Sequence, residues 1–123
     1  MMSGVVTSDR EAVIRLRVRG PEAQEQELNA VIDTGFNDFL TLPPSVVGAL
    51  GFPFAAPAEA TLADGSIVQL NYHRGNIIWD DGPRDVLILA AEGGPLVGMS
   101  MLYGYDLYLK ATDGGTVTIK RLD

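Results

Sequence analysis

The feature of this sequence that most constrains its fold is a succession of short alternating apolar segments, each bounded by turn-forming residues. Between residues 11 and 20, Ile14, Leu16 and Val18 alternate with three arginines, which is typical of a strand with one solvent-facing side. Fourteen glycines and seven prolines among 123 residues provide many turns, which favours strands over a helical bundle. The chain is therefore predicted to be all-β with one or two short helices.

Turn signals divide the chain into short predicted strands. The strongest signal is Asp-Gly-Ser at residues 64–66, which predicts a hairpin. A short helix is predicted to begin at the prolines of residues 43–44 and to end at Gly51, and a second to begin at Ser100 as its N-cap. Residues 52–57 are interpreted as a connector. The strands are predicted at residues 11–20, 28–32, 39–42, 60–63, 67–72, 75–79, 84–90, 105–111 and 116–122, a succession that favours a closed or nearly closed β-barrel.

The chain is predicted to be a single domain spanning residues 1–123. It contains no internal repeat, low-complexity tract or linker. Residues 1–10 are polar and are expected to form a flexible N-terminal segment. They lack the apolar core of a secretory signal, and no apolar run elsewhere is long enough to span a bilayer. We therefore expect a soluble, cytoplasmic protein that has no membrane partner.

Composition argues against several kinds of site. The chain has no cysteine, which excludes disulfides and thiolate metal sites. A formal net charge of −7 would repel a phosphate backbone, so nucleic acid is not expected as a partner. A calcium loop at residues 33–38 is disfavoured, because Gly35 stands where an oxygen ligand is needed and no glutamate closes the loop. We expect neither a metal nor a cofactor.

An acidic residue at the end of an apolar strand marks the candidate site. Residues 28–32 (Leu-Asn-Ala-Val-Ile) are predicted to lie in the core, so Asp33 would occupy an interior or cleft position. A carboxylate there must be paired, hydrogen-bonded or protonated. Gly35 lets the backbone N–H approach that carboxylate, and Thr34 adds a hydroxyl. Asp33 is thus the candidate functional residue, with Thr34 and Gly35 beside it; the alternative interpretation is a turn aspartate that caps a loop.

The residues around Asp33 match a known protein family. The segment 30–35 (Ala-Val-Ile-Asp-Thr-Gly) resembles the active-site loop of the retropepsin-like, clan AA aspartic proteases. The segment 36–43 (Phe-Asn-Asp-Phe-Leu-Thr-Leu-Pro) is similar to the continuation of that loop in the single-domain prokaryotic branch of the clan. The resemblance spans nearly the whole chain, from Val13 to Leu122.

Three further elements that the family places downstream have counterparts in this sequence. The family has a glycine-tipped flap hairpin, then two apolar residues and a glycine, and then a short helix. The resemblance assigns the flap, which binds substrate, to Ala63, Asp64, Gly65 and Ser66. It assigns the second loop to Leu96, Val97 and Gly98, and the helix to a segment that begins at Ser100.

The resemblance implies a fold, an activity and a partner. The fold would be a single lobe of the closed acid-protease barrel. The activity would be hydrolysis of peptide bonds by water, and in this family two aspartates share one proton at the active site. Because the chain has one Asp-Thr-Gly triplet, the active form would be a homodimer whose dyad is Asp33 and its symmetry mate. Its substrate would be a peptide or a protein.

The sequence departs from the family pattern at two places. Phe36 stands where many relatives have alanine or serine, and Met99-Ser100 stands where retroviral members have Arg-Asn or Arg-Asp. The alternative function is therefore a catalytically inactive barrel that acts as a dimerisation or peptide-binding module.

Overall fold

The computed structural model describes residues 1–123 and contains ten strands and two short helices, so the all-β prediction is confirmed. No helix is long and apolar enough to cross a membrane. The elements in chain order are β1 (Met2–Val6), β2 (Ala12–Arg19), β3 (Glu25–Ile32), β4 (Leu40–Leu42), α1 (Pro44–Leu50), β5 (Phe54–Thr61), β6 (Ile67–Trp79), β7 (Gly82–Ala90), β8 (Leu96–Val97), α2 (Met99–Leu102), β9 (Tyr105–Leu109) and β10 (Thr116–Arg121).

All ten strands belong to one sheet, in the order β5-β6-β7-β4-β8-β3-β2-β1-β10-β9. Two neighbouring pairs are parallel, β3 with β8 and β4 with β7, and the others are antiparallel. The longest strand, β6, also pairs with β2 at Ile77 and its neighbours. This extra pairing joins strands that lie far apart in the order, because β6 is long enough to pair with β5 at residues 67–73 and with β2 at residues 76–78. β7 pairs with residues 71–79 of the same strand.

The alternation predicted for β2 is confirmed and explains its contribution to the core. Ile14, Leu16 and Val18 are buried, with exposed fractions of 1% or less. The three arginines between and after them form ion pairs with glutamates of β3 on the solvent side. Exposed ion pairs contribute little to stability, whereas each fully buried aliphatic side chain contributes about 1.5–3 kcal/mol. The inward residues of β2 therefore hold this part of the sheet together.

Local turn chemistry confirms several predicted boundaries. Pro44 begins α1, and Gly51 ends it in the left-handed conformation, with φ of 71°. Asp80 and Asp81, between β6 and β7, have φ of 51° and 68°. Positive φ at both central residues is the geometry of a tight two-residue hairpin turn, which aspartate tolerates better than most residues.

The prediction of a flexible segment at residues 1–10 is wrong for Met2–Val6. This segment is β1 and pairs with β2 on one side and β10 on the other. Gly4 permits the close approach, because a Cβ there would overlap the carbonyl oxygen of Val13 and lie 2.8 Å from Ile14 Cγ2. The strand is specified by its two partners, β2, which follows it in the chain, and β10, which lies at the other end of the chain.

The prediction of a connector at residues 52–57 is also wrong in its second half. β5 begins at Phe54, and the register with β6 shifts between Phe54 and Ala56. Proline is tolerated there because β5 is an edge strand, whose outward N–H groups have no partner strand. The two strands predicted at 67–72 and 75–79 are one continuous strand, β6.

Candidate active site

Asp33 lies immediately after β3 and is half-buried. Its backbone N–H donates a hydrogen bond to the carbonyl oxygen of Val97 at 2.9 Å, which continues the parallel pairing of β3 with β8. The end of β3 thus carries a carboxylate, and this position at a strand end is as predicted. The strand itself is less buried than predicted, since Ala30 is the only buried residue of 28–32 and Asn29 is exposed.

The loop after β3 folds back onto the Asp33 carboxylate. The N–H of Gly35 donates to Asp33 Oδ1 at 2.9 Å, and the N–H of Phe36 donates to the carbonyl oxygen of Asp33 at 3.1 Å. These two bonds fix the carboxylate relative to the backbone, and no side chain of the chain hydrogen-bonds Asp33 Oδ2. The N–H of Gly35 thus points at the carboxylate, as predicted, whereas Thr34 is exposed and its hydroxyl makes no hydrogen bond.

Thr34 borders an open cavity of about 720 Å³ on the solvent side of the loop. Ile32, Leu109 and Arg10 also line this cavity. The side of the loop that carries Thr34 therefore borders open space.

β8 brings the predicted second loop to Asp33. Leu96 and Val97 lie between β3 and β4, parallel to the first and antiparallel to the second. Two strands that follow one another in the chain are thus separated in the sheet by a third that comes much later. The predicted residues Asp33, Leu96, Val97 and Gly98 form one structural unit.

Thr41 provides a side-chain hydrogen-bond acceptor for β8, a role that was not predicted from the sequence. Its Oγ1 accepts a hydrogen bond from the N–H of Leu96 at 2.9 Å, and the residue is 7% exposed. The only sequence signal is a polar residue between the buried Leu40 and Leu42.

Replacing Thr41 with valine is expected to lower the free energy of unfolding by about 1–3 kcal/mol, because it leaves the N–H of Leu96 without a partner. Thr118→Val is the matched control, since Thr118 is half-buried in β10 and makes no side-chain hydrogen bond. Urea denaturation measures both. Equal midpoints for the two variants would show that the hydroxyl of Thr41 does not support β8.

Gly98 packs directly against the loop of Asp33. Its N–H donates to the carbonyl oxygen of Phe39 at 2.9 Å. A Cβ at this position would overlap the carbonyl oxygen of Asp38 and would lie 2.6 Å from Cδ2 of Phe36. Phe36, the departure from the family pattern, therefore packs its ring against the glycine.

The start of α2 is joined to the same loop. The N–H of Met99 donates to the carbonyl oxygen of Phe36 at 2.7 Å, and Ser100 Oγ donates to the carbonyl oxygen of Asn37 at 2.6 Å. The prediction that Ser100 is the N-cap of this helix is wrong, since Gly98 occupies that position without a side-chain bond. The Ser100 hydroxyl binds the loop instead of the helix.

A cation reaches this region from β7. Arg84 donates to the carbonyl oxygen of Met101 at 3.0 Å, and its guanidinium lies 5.6 Å from the ring centre of Phe39. Free carbonyl groups at a helix end favour a cation. The positive charge that stabilises the end of α2 thus comes from a residue distant in sequence. The residues around Met99-Ser100 do not predict it.

The tip of the β5–β6 hairpin is exposed and organised by its own hydrogen bonds. Asp64 Oδ1 accepts from both the Oγ and the N–H of Ser66, at 2.6 and 2.9 Å. These bonds hold the pKa of the Asp64 carboxyl below its usual range. Gly65 has φ of 86°, which permits the turn, and Ala63 beside it is exposed. The predicted hairpin is confirmed, but no hydrogen bond joins its tip to the loop of Asp33.

The hairpin contacts that loop at its base. Tyr72 Oη donates a hydrogen bond of 2.6 Å to Asp38 Oδ2. This bond raises the pKa of the Tyr72 hydroxyl, with burial as a second cause. It is the only side-chain hydrogen bond between the hairpin and the residues from Asp33 to Phe39.

A row of side chains crosses the sheet between the hairpin and Asp33. Paired residues of neighbouring strands share a face, so the register places Tyr72, Leu89, Thr41, Leu96 and Val31 in one row. Asp33 follows two residues after the last member and continues that face. The row is mainly apolar, so a ligand beside Asp33 would rest on aliphatic side chains.

The arrangement suits chemistry that needs one accessible carboxylate. No group of three or more histidine, cysteine, aspartate and glutamate side chains is placed to hold a metal ion. A half-buried carboxylate with one oxygen fixed by a backbone N–H and the other free can act on a water molecule or share a proton with a second acid.

Comparison with family models, with curated proteins and with solved structures gives no match to this chain.

Proposed function

We propose that this chain is one subunit of a homodimeric aspartic endopeptidase of the retropepsin-like type. The observation that carries the proposal is the unit formed by Asp33, its Gly35 N–H and the inserted strand Leu96–Val97. This unit holds one carboxylate at a strand end, beside a projecting hairpin and above an apolar row. The resemblance of the sequence at residues 30–43 supports the same function.

The pairing of the strands supports the finer proposal of a closed acid-protease barrel. The pairs β6–β7, β7–β4, β4–β8, β8–β3, β3–β2 and β2–β6 form a circuit that returns to its first strand. A circuit of paired strands encloses a core, and the core of this chain includes Leu40, Ile77 and Val97. β1, β10 and β9 extend the sheet beyond that circuit.

The proposed mechanism needs two chains. Each contributes Asp33, and two carboxylates at close range share one proton, because both cannot ionise. The ionised one takes a proton from water as the water attacks the peptide carbonyl carbon. The protonated one hydrogen-bonds the carbonyl oxygen and gives it a proton as the tetrahedral diol forms. The proton taken from water then passes to the peptide nitrogen as the C–N bond breaks, and a hydroxyl of the diol returns its proton to the dyad. The open side of Thr34, next to the cavity lined by Ile32 and Leu109, provides room for the partner's loop.

The proposed substrate is an extended segment of peptide. Extended peptides bind proteins as added strands, with alternate side chains in pockets. The row that ends at Val31 presents Leu89 and Leu96, so apolar side chains should be favoured beside the cleaved bond.

Dimerisation can be tested through the dependence of activity on concentration. We expect wild-type protein to cleave a mixed peptide library between acidic and neutral pH. The rate per chain should rise with protein concentration until dimer forms fully, because a single chain has only one Asp33. Sedimentation over the same range should show monomer converting to dimer. A monomer that cleaves peptides at a constant rate per chain would contradict the shared dyad.

The non-catalytic alternative is favoured by one observation, the free edge of β9. This strand ends the sheet and exposes Tyr108 and Leu109, and it lacks the proline that protects the opposite edge strand. An edge of this kind can pair with another chain without any use of Asp33. Failure of wild-type protein to cleave the library, together with dimer formation, would support this alternative.

A further inference from the structure

The projecting hairpin (residues 57–71) is the part of the β5–β6 pair that begins at the end of β7, where Asn71 pairs with Ala90, and extends beyond it. β6 pairs with β7 from Trp79 back to Asn71, and from there to Ile67 its only partner is β5. Tyr72 is therefore located where the hairpin leaves the rest of the sheet. A contact at this position sets the angle at which the hairpin projects, whereas a contact at the tip would not.

The acceptor of the Tyr72 hydrogen bond belongs to a rigid loop. The carbonyl oxygens of Phe36, Asn37, Asp38 and Phe39 each accept a hydrogen bond from the segment Gly98–Ser100. The backbone that carries the Asp38 carboxylate is thus fixed on the side of Asp33. A bond between a fixed loop and a projecting hairpin constrains the hairpin.

The bond between Tyr72 and Asp38 is short, and no other side chain bonds the Asp38 carboxylate. Its length of 2.6 Å is typical of a hydroxyl bonded to an ionised carboxylate, which is a stronger bond than one between neutral groups. Asp38 forms no ion pair with any arginine or lysine of the chain. The raised pKa of the Tyr72 hydroxyl agrees with this geometry, since the bond favours the protonated phenol.

We infer that Tyr72 is a positioning residue, which acts through Asp38 to hold the projecting hairpin at a fixed angle to the loop of Asp33. The inference rests on the proposed function for its catalytic consequence, which is tighter binding of the peptide between hairpin and sheet. The hairpin would contact the bound peptide both before and during the reaction. Loss of the Tyr72 hydroxyl should therefore raise KM and leave kcat nearly unchanged.

The test compares Tyr72→Phe with Tyr103→Phe as a matched control. Both variants lose one hydroxyl, but Tyr103 is 82% exposed and makes no hydrogen bond. Amide hydrogen exchange is measured first, since it needs no activity. We expect exchange in residues 57–71 to become about tenfold faster in Tyr72→Phe, in line with loss of one charge-assisted hydrogen bond, and to stay unchanged in Tyr103→Phe.

The second measurement is peptide hydrolysis by the same variants. An increase in KM of about tenfold for Tyr72→Phe, with kcat near the wild-type value, supports the inference. An intermediate increase in Asp38→Asn supports it further, because an amide oxygen still accepts a weaker bond. Unchanged KM in an active protein, or faster exchange throughout the sheet instead of in residues 57–71 alone, overturns it.

The two proposals fail in different ways. If wild-type protein cleaves no peptide, the proposed function is wrong. The exchange experiment still tests whether the Tyr72 hydroxyl restrains the hairpin. If wild-type protein is active and Tyr72→Phe matches it in both exchange and KM, only the inference about Tyr72 is wrong.

Discussion

Asp33→Asn is expected to abolish peptide hydrolysis, with a loss of at least about 10²–10⁴-fold, the usual contribution of a general acid or base. The amide can neither take a proton from water nor share one with the partner's Asp33. Its oxygen can still accept the hydrogen bond from the Gly35 N–H, so the loop should keep its shape. The measurement is the rate of cleavage of a mixed peptide library by wild type and variant between acidic and neutral pH.

The control for this experiment is Asp106→Asn. Asp106 is exposed on β9 and forms no ion pair or side-chain hydrogen bond, so its removal changes net charge by the same amount without touching the site. The melting temperature and dimerisation of Asp33→Asn should match those of wild type. Equal cleavage by wild type and Asp33→Asn would contradict the proposed mechanism.

Gly98→Ala is expected to destabilise the fold by about 3 kcal/mol or slightly more, at the upper end of the usual range for overpacking. The added methyl would overlap the carbonyl oxygen of Asp38 and would lie 2.7 Å from that of Phe36. Both atoms belong to the backbone of the loop, which cannot move aside without breaking its bonds to Gly98 and Met99. Denaturation in urea measures the loss, and the variant should also lose activity because the loop carries Asp33.

Gly48→Ala, the same substitution at another glycine, is expected to increase stability instead of lowering it. Gly48 is exposed in α1, and a Cβ there would meet no atom within 4 Å. Alanine should stabilise the helix by about 0.5–1 kcal/mol, since it restricts the unfolded chain more than glycine does. A Gly98→Ala variant as stable as Gly48→Ala would show that the loop of Asp33 can move aside to accept a methyl group at residue 98.

Much of the fold was predictable because its signals are local. The alternation in β2, the Asp-Gly-Ser turn at 64–66 and the boundaries of α1 at Pro44 and Gly51 each depend on a few adjacent residues. The alternation of apolar residues in a strand and the residue types that form a turn can both be recognised over a few adjacent positions. The position of Asp33 at a strand end was predictable for the same reason.

The remaining features depend on residues that are far apart in the chain. β1 is a strand only because β2 and β10 border it, and its five residues carry no strong pattern. Thr41 is a partner for the N–H of Leu96 only once β8 lies beside β4. The same holds for Tyr72 and Asp38, whose bond joins β6 to the loop before β4, with β7 between these two strands in the sheet. No local rule predicts contacts of this kind.

The late position of β8 in the chain has a consequence for synthesis. β3 and β4 leave the ribosome early, but they cannot pair with each other and must wait for Leu96 and Val97 to fill the space between them. Contacts of such long sequence separation form slowly. Asp33 therefore stays on an incomplete loop until most of the chain has been translated, which delays any hydrolytic activity until the domain can fold as a whole.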